Sequence, residues 1–304
     1  MAIQAQKINE ELVKLYALKN FGEVGPKMLS SLLMNFESID NILSAEPDEL
    51  ASIPRLSEDR SRKIISAGYR LKEAEEELVL IVDAGINVTG LFQNDYPEIL
   101  LRLPDPPALL YYRGELPEYR HPALAVVGTT HASEDGIAVA VEIGKMLANR
   151  DIYVISGLAA GIDSSAHLGS LSNNGYTAGI LGSGILNVYP RENNKLSKMM
   201  EKSGCVLSEY HPDANVSVGR LLARNRLVVG LASSVIVVEL HEKSSGTMNS
   251  IIRAREQGKG CYLFDPGKQV PAELQSELGI VCFESLERME EMIEYMLVDG
   301  ESDE

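Results

Sequence analysis

The run Tyr153-Val154-Ile155 passes directly into Ser156-Gly157-Leu158-Ala159-Ala160-Gly161-Ile162-Asp163-Ser164-Ser165-Ala166-His167, which reads as an apolar strand, a glycine turn and a helix start. Glycines at 157 and 161 let backbone come close to a ligand. Asp163 and Ser164 can cap a helix whose free N–H groups face an anion. Two readings stand at this point: a phosphate cradle, and a tight turn needed only for packing.

From Leu124 onward the same alternation recurs. Apolar runs at Leu124–Val127, Tyr153–Ile155, Tyr176–Leu181, Val206–Ser208, Val235–Glu239 and Cys261–Phe264 are separated by helical segments. Continuous apolar strands between helices are the pattern of βαβ units, so the chain is expected to be α/β, an extended Rossmann-like parallel sheet with helices on both faces. Five polar or glycine-bearing loops then fall at carboxyl ends of strands, where open α/β sheets bind ligands: Gly128-Thr129-Thr130, Ser156-Gly157, Gly182-Ser183-Gly184, Ser208-Glu209-Tyr210 and the stretch from His241 to Thr247. Neither G-x-G-x-x-G nor a Walker A motif occurs, so no cofactor is expected.

The first part of the chain differs. Glu11–Leu18 has helical spacing, and Phe21-Gly22-Glu23-Val24-Gly25-Pro26-Lys27-Met28-Leu29 turns sharply into a second helix, as in a helix-hairpin-helix. Glu49–Leu56 reads as a second copy without the glycines, and Ser57–Leu80 as one charged helix. Such hairpins either set glycine N–H groups against a DNA phosphate or pack for stability and partner contact. The proline-rich stretch Tyr96–Gly114 reads as a rigid connector ending in a strand. The expected division is 1–80, a small all-α helix-hairpin-helix (SAM-like) domain; 81–283, the extended Rossmann-like domain; and 284–304, an acidic C-terminal helix or tail.

Charge bears on the ligand. A net charge of -16 opposes general nucleic-acid binding. Its distribution is uneven: Glu284–Glu304 carries nine acids and one arginine, whereas Arg191–Lys268 carries twelve Lys/Arg against eight Asp/Glu. A local basic face is therefore expected in the second stretch. No apolar run reaches the roughly 18 residues of a membrane span and the start lacks a signal-peptide core, so a cytoplasmic protein is expected. Cys205, Cys261 and Cys282 lie far apart with no histidine cluster, which suggests buried thiols and no metal.

Several motifs in order carry a resemblance. Tyr96-Pro97, Asp105-Pro106-Pro107, Ser156-Gly157-Leu158-Ala159 with Gly161-Ile162-Asp163, Leu181-Gly182-Ser183-Gly184 with Tyr189-Pro190 and Glu192-Asn193, Ser208-Glu209-Tyr210, Arg224-Asn225-Arg226, and Ser245-Gly246-Thr247 with Glu256-Gln257-Gly258 resemble the DNA-processing protein A (DprA/Smf) family. The resemblance implies a homodimeric, non-enzymatic protein. It would bind and protect incoming single-stranded DNA and load a RecA-type recombinase in natural transformation. Two residues depart from the family pattern: Thr130 and Ala160 stand where arginines are usual. The chain also continues as Glu284–Glu304 where a winged helix often follows.

The expected DNA site takes phosphates on backbone N–H groups of Gly128, Thr129, Thr130, Ser156, Gly157, Gly182, Ser183 and Gly184, with Gly161 in the turn and Ser245, Gly246 and Thr247 at the same edge. Arg224 and Arg226, flanking Asn225, would supply cationic forks, and Lys243 a mobile cation. The competing reading has these arginines pairing locally with Glu209 or Glu239. Tyr189 and Tyr210 are stacking platforms or packed tyrosines, and His167 is a satisfied structural histidine. No catalytic residue is expected. An alternative from another class is a nucleotide-binding sensor or phosphoribohydrolase-like protein, since Ser245-Gly246-Thr247 is similar to the loop of those enzymes. The carboxylate they need is replaced by Met248, Asn249 and Ser250. A third reading is a recombinase adaptor with a decayed DNA site. Dimer contacts are expected on helix Ser245–Gln257 and strand Cys261–Phe264.

Overall fold

The structure, a computed structural model, describes residues 8–118, 120–241 and 245–298. The chain divides into two compact units, Met1–Arg113 and Gly114–Glu304, so residues 81–113 belong with the helices rather than beyond the division expected after residue 80.

The first unit opens with α1 (Glu10–Asn20), whose N-cap Asn9 side chain accepts from the Leu12 N–H while Glu10 and Glu11 sit favourably in the first turn. It continues with α2 (Pro26–Phe36), α3 (Ile39–Leu43), α4 (Pro47–Ala51), α5 (Glu58–Gly68) and α6 (Leu71–Asp83). The expected single helix over 57–80 is therefore two, broken at Tyr69 and Arg70. Leu12, Leu15, Leu18, Leu29, Leu32, Ile42, Leu50, Ile64 and Leu78 form the interior. The α1–α2 turn needs Gly22, because a Cβ there would meet the Leu18 carbonyl oxygen at 2.6 Å. In the α4–α5 hairpin, which lacks glycines, Arg55 takes a left-handed φ of 66°. Strands β1 (Asn87–Gly90) and β2 (Leu109–Gly114) then pair antiparallel, Asn87 opposite Tyr112.

The second unit is an α/β sheet. In chain order it contains β3 (Ala123–Gly128), α7 (Glu134–Asn149), β4 (Tyr153–Ser156), α8 (Ile162–Ser172), β5 (Thr177–Ile180), α9 (Asn194–Ser203), β6 (Gly204–Ser208), α10 (Val218–Gly230), β7 (Ser234–Val238), α11 (Ser245–Glu256), β8 (Cys261–Phe264), α12 (Ala272–Leu278), β9 (Val281–Phe283) and α13 (Leu286–Val298). These strands lie in the order β6-β5-β4-β3-β7-β8-β9, and every pairing among them is parallel. Successive strands run outward from β3 in one direction and from β7 in the other, so the topological switch point falls between β3 and β7. On one face Ile143 and Leu147 of α7 and Met289, Ile293 and Met296 of α13 pack on Leu124, Val126, Val154 and Ile236. The segment expected as an acidic end is thus core helix as far as Val298; residues 299–304 lie outside those described.

Strand β8 is paired on both sides, by β7 and β9, so the expected edge contact through Cys261–Phe264 is corrected: the edge strand is β9. Cys205 and Cys261 are buried, and burial pushes both thiols up to about 12, whereas Cys282 is half-buried. Among the described residues no helix is long and apolar enough to cross a membrane, and no cluster of His, Cys, Asp or Glu is arranged to hold a metal ion.

Candidate nucleic-acid interface

The β4–α8 turn is filled from within. Gly161, at φ 76°, lets the chain pass so close to the β3 loop that a Cβ would meet the Thr129 carbonyl oxygen at 2.5 Å, and the Ile162 N–H donates to that oxygen. The turn then folds back so that Asp163, buried, accepts the N–H of Gly157 at 3.0 Å. Burial pushes its carboxyl up from the ordinary range, against the pull of Arg224. The groups expected to cradle a phosphate already hold a carboxylate of the chain itself.

Arg224 explains Gly157. Its guanidinium, 4% exposed, donates to the carbonyl oxygens of Gly157 and Ile180 and occupies the space a side chain at 157 would need. Arg226, 6% exposed, forms a bidentate pair with Glu209 at 2.7 and 3.1 Å. Asn225 is buried between them, donating to the Gly246 carbonyl oxygen and to Asn249. Arg224, Asn225 and Arg226, expected to meet phosphates, are all three drawn inward by internal carbonyls, amides and carboxylates.

The other expected loop residues divide by exposure. Gly128 lies in the β3–β7 ladder, Thr129 and Ser156 are buried, and Ser156 Oγ donates to the Val126 carbonyl oxygen. Gly182 packs on Leu221; Ser183 Oγ donates to the Asn187 carbonyl oxygen and Gly184 N–H to that of Ala214. Thr247 is buried. Thr130, Ser245 and Gly246 are exposed, and Lys243 lies outside the described residues. Tyr210 is half-buried beneath the Arg220 guanidinium, whereas Tyr189 is exposed. His167 Nδ1 meets Thr177 Oγ1 at 2.6 Å, but its buried Nε2 has no partner among the described residues, so it is structural without being fully satisfied.

A second internal anion sits at the switch point. Glu239, at the end of β7 with φ 54°, accepts the N–H and Oγ–H of Ser133, the N-cap of α7. The helix starts after β3 and β4 therefore both hold carboxylates of the protein.

What the loops lack, one helix supplies. Arg191 in the 3-10 turn before α9, then Lys195, Lys198 and Lys202, recur at intervals of four, three and four residues. That spacing places them on one face, opposite buried Leu196, Ser197 and Met200. All four are exposed. From Gly114 onward, every other described lysine or arginine except Arg120 bonds a carboxylate, carbonyl or side chain of the protein. These four take no such partner among the described residues. Asn193 anchors the row by donating to the carbonyl oxygens of Leu158 and Ala159 in the β4–α8 turn. The row was missed in the sequence because its regularity matters only once Leu196 and Met200 are known to face inward.

Fold and edge together define an extended Rossmann-like protein whose strand-end turns hold the chain's own carboxylates and whose row of free cations, among the described residues, lies at an outer helix, preceded by a helix-hairpin-helix tandem. The DNA recombination-mediator protein A family matches residues 87–293, and a SAM-like helix-hairpin-helix tandem matches 17–67. The chain belongs to the DNA recombination-mediator protein A family. It is 32% identical over 249 residues to protein Smf of Synechocystis sp., covering 80% of this chain and 62% of that one. It is 33% identical over 198 residues to DNA processing protein DprA of Bacillus subtilis, covering 63% and 66%. It thus spans less than two thirds of the length of these curated relatives. The crystal structure of DprA from Streptococcus pneumoniae superposes with a TM-score of 0.75 at 26% identity, covering 94% of this chain and 98% of that one. The structure describing the single-stranded DNA binding mode of DNA processing protein A from Helicobacter pylori gives 0.61 at 25% identity, covering 69% and 96%.

Proposed function

We propose that this protein binds single-stranded DNA along Arg191, Lys195, Lys198 and Lys202, with Thr130, Ser245 and Gly246 at the neighbouring strand ends. The carrying observation is the row itself: in a chain of net charge -16, these cations are exposed and without a partner among the described residues, Arg191 in the turn before α9 and the three lysines on one face of it. Unpaired cations in a row attract a phosphate backbone without reading its sequence. The single-stranded DNA binding of the Helicobacter pylori relative supports the same ligand here. The proposal extends to shielding the strand and presenting it to a RecA-type recombinase, without turnover, in the cytoplasm and as a homodimer. The family description as a recombination mediator supports the recombinase step, and the open β9 edge supports the dimer. The nucleotide-sensor reading is disfavoured, since Asp163 and Glu239 already occupy the helix starts such a ligand would use.

The test is fluorescence anisotropy with labelled oligo-dT, comparing the wild type with Lys195→Ala/Lys198→Ala/Lys202→Ala. The triple variant is expected to bind much more weakly at low salt. A folded triple variant that binds as tightly as the wild type removes the row from the site.

A further inference from the structure

Beside the cationic row lies apolar surface that packing does not use. Leu186, Tyr189 and Val218 are 54%, 49% and 73% exposed. The loop that carries Leu186 and Tyr189 is tied to the segment leading to Val218: Leu186 N–H donates to the Pro212 carbonyl oxygen at 2.9 Å, Asn187 Nδ2 to that of Asp213 at 2.6 Å, and Gly184 N–H to that of Ala214 at 2.8 Å. Val218 follows directly from this second segment, opening α10 after its N-cap Ser217. Tyr189 stands two residues before Arg191, the first cation of the row, and its hydroxyl takes no partner among the described residues. These bonds join the loop of Leu186 and Tyr189 to the segment before α10, while all three apolar side chains stay exposed.

Resting on the strand-binding reading above, we propose that this apolar ledge receives the bases of the bound strand, with Tyr189 stacking on one base and Leu186 and Val218 flanking it. The occupant follows from what adjoins it. The free cations beginning at Arg191 fix the phosphates alongside, and the bases of a strand lying on that row need an apolar surface within reach. A flat ring against a base face is tolerant of sequence. In a duplex those faces are buried in the stack and cannot reach Tyr189. The ledge thereby converts a row of charges, which attracts any polyanion, into a site that selects unpaired strands.

The experiment measures anisotropy across a salt series for wild type, Tyr189→Ala, Tyr189→Phe and Leu186→Ser/Val218→Ser, each against oligo-dT, an abasic oligonucleotide of equal length, and duplex. Tyr189→Ala is expected to lose about tenfold in oligo-dT affinity, about 1.4 kcal/mol. Its salt slope and its affinity for the abasic strand stay as in the wild type. Tyr189→Phe retains binding, because the ring rather than the hydroxyl is used. The Ser/Ser variant narrows the preference for oligo-dT over duplex. Equal wild-type affinity for oligo-dT and the abasic strand, or an unchanged Tyr189→Ala, overturns the ledge while leaving the cationic row intact. Failure of the lysine variants to weaken binding overturns the strand reading itself.

Discussion

The guanidinium of Arg224 lies against the backbone of Gly157, so that a methyl group at 157 would come within 2.6 Å of its Cζ. The same guanidinium holds the carbonyl oxygens of Gly157 and Ile180, joining the carboxyl ends of β4 and β5. Arg224→Ala leaves Asp163 buried without its neighbouring cation and should cost about 3–5 kcal/mol. Gly157→Ala should cost about 1–3 kcal/mol through overpacking. In the Arg224→Ala background the added methyl has room. A double-mutant cycle by urea unfolding should give a coupling of about 1 kcal/mol or more, and strict additivity would contradict the contact.

His167 makes folding sensitive to acid. Thr177 Oγ1 donates to the Val154 carbonyl oxygen, so the histidine must donate from Nδ1, leaving Nε2 as a buried lone pair. Burial, with Arg224 nearby, holds its pKa down at about 3, against an ordinary 6.5. Between these values the unfolded chain binds the proton and the folded one does not, so stability is full above about 6.5 and falls as pH drops toward 3. From pH 7 to pH 5 the loss from this residue is about 2 kcal/mol. His167→Asn retains a donor for Thr177 without the titration, and urea midpoints at the two pH values should differ less in the variant by that amount.

Ile252 on α11 and Val281 at the start of β9 are 45% and 49% exposed in the part of the sheet that ends in the open edge. Ile252→Glu with Val281→Asp should convert the proposed dimer to monomer in sedimentation. Thermal stability should stay within about 0.5 kcal/mol, as surface changes usually do. A dimer that survives both charges lies elsewhere on the protein.

Thr130 is exposed after β3, with Oγ1 3.1 Å from His131 Nδ1. If the bound strand passes this loop, Thr130→Arg adds one phosphate contact, and the dependence of log affinity on log salt steepens by about 0.7. Each of Lys195→Ala, Lys198→Ala and Lys202→Ala should flatten it by about the same amount. A slope unmoved by Thr130→Arg confines the strand to α9.

The sheet was legible because buried parallel strands are unbroken apolar runs: Cys261–Phe264 is β8 to the residue, and Leu124–Val127 and Tyr153–Ile155 differ from β3 and β4 only at their ends. Strand β9 was not, since the run Ile280-Val281-Cys282-Phe283 is too short for its length or period to mark it as a strand rather than part of the flanking helices. The break at Tyr69 was hidden because charged residues continue across it. At the site, glycine and arginine types were visible but their partners were not. Gly157 accommodates Arg224 rather than a ligand, and Asp163 fills its own turn, facts that depend on contacts between residues far apart in the chain. The lysines of α9 carried the opposite problem, conspicuous by charge yet meaningless until the helix was oriented.

The row at α9 also bears on how the proposed strand would be released. Three of its four cations are lysines, point charges on flexible stems that do not demand a particular geometry of their anion. Every phosphate of a strand is equivalent to them, so a strand displaced by one nucleotide meets the same row in the same way. Release then need not be a single event in which all contacts break together. On the strand-binding reading proposed above, the strand would leave the row from one end, and the proposed recombinase would meet nucleotides freed a few at a time.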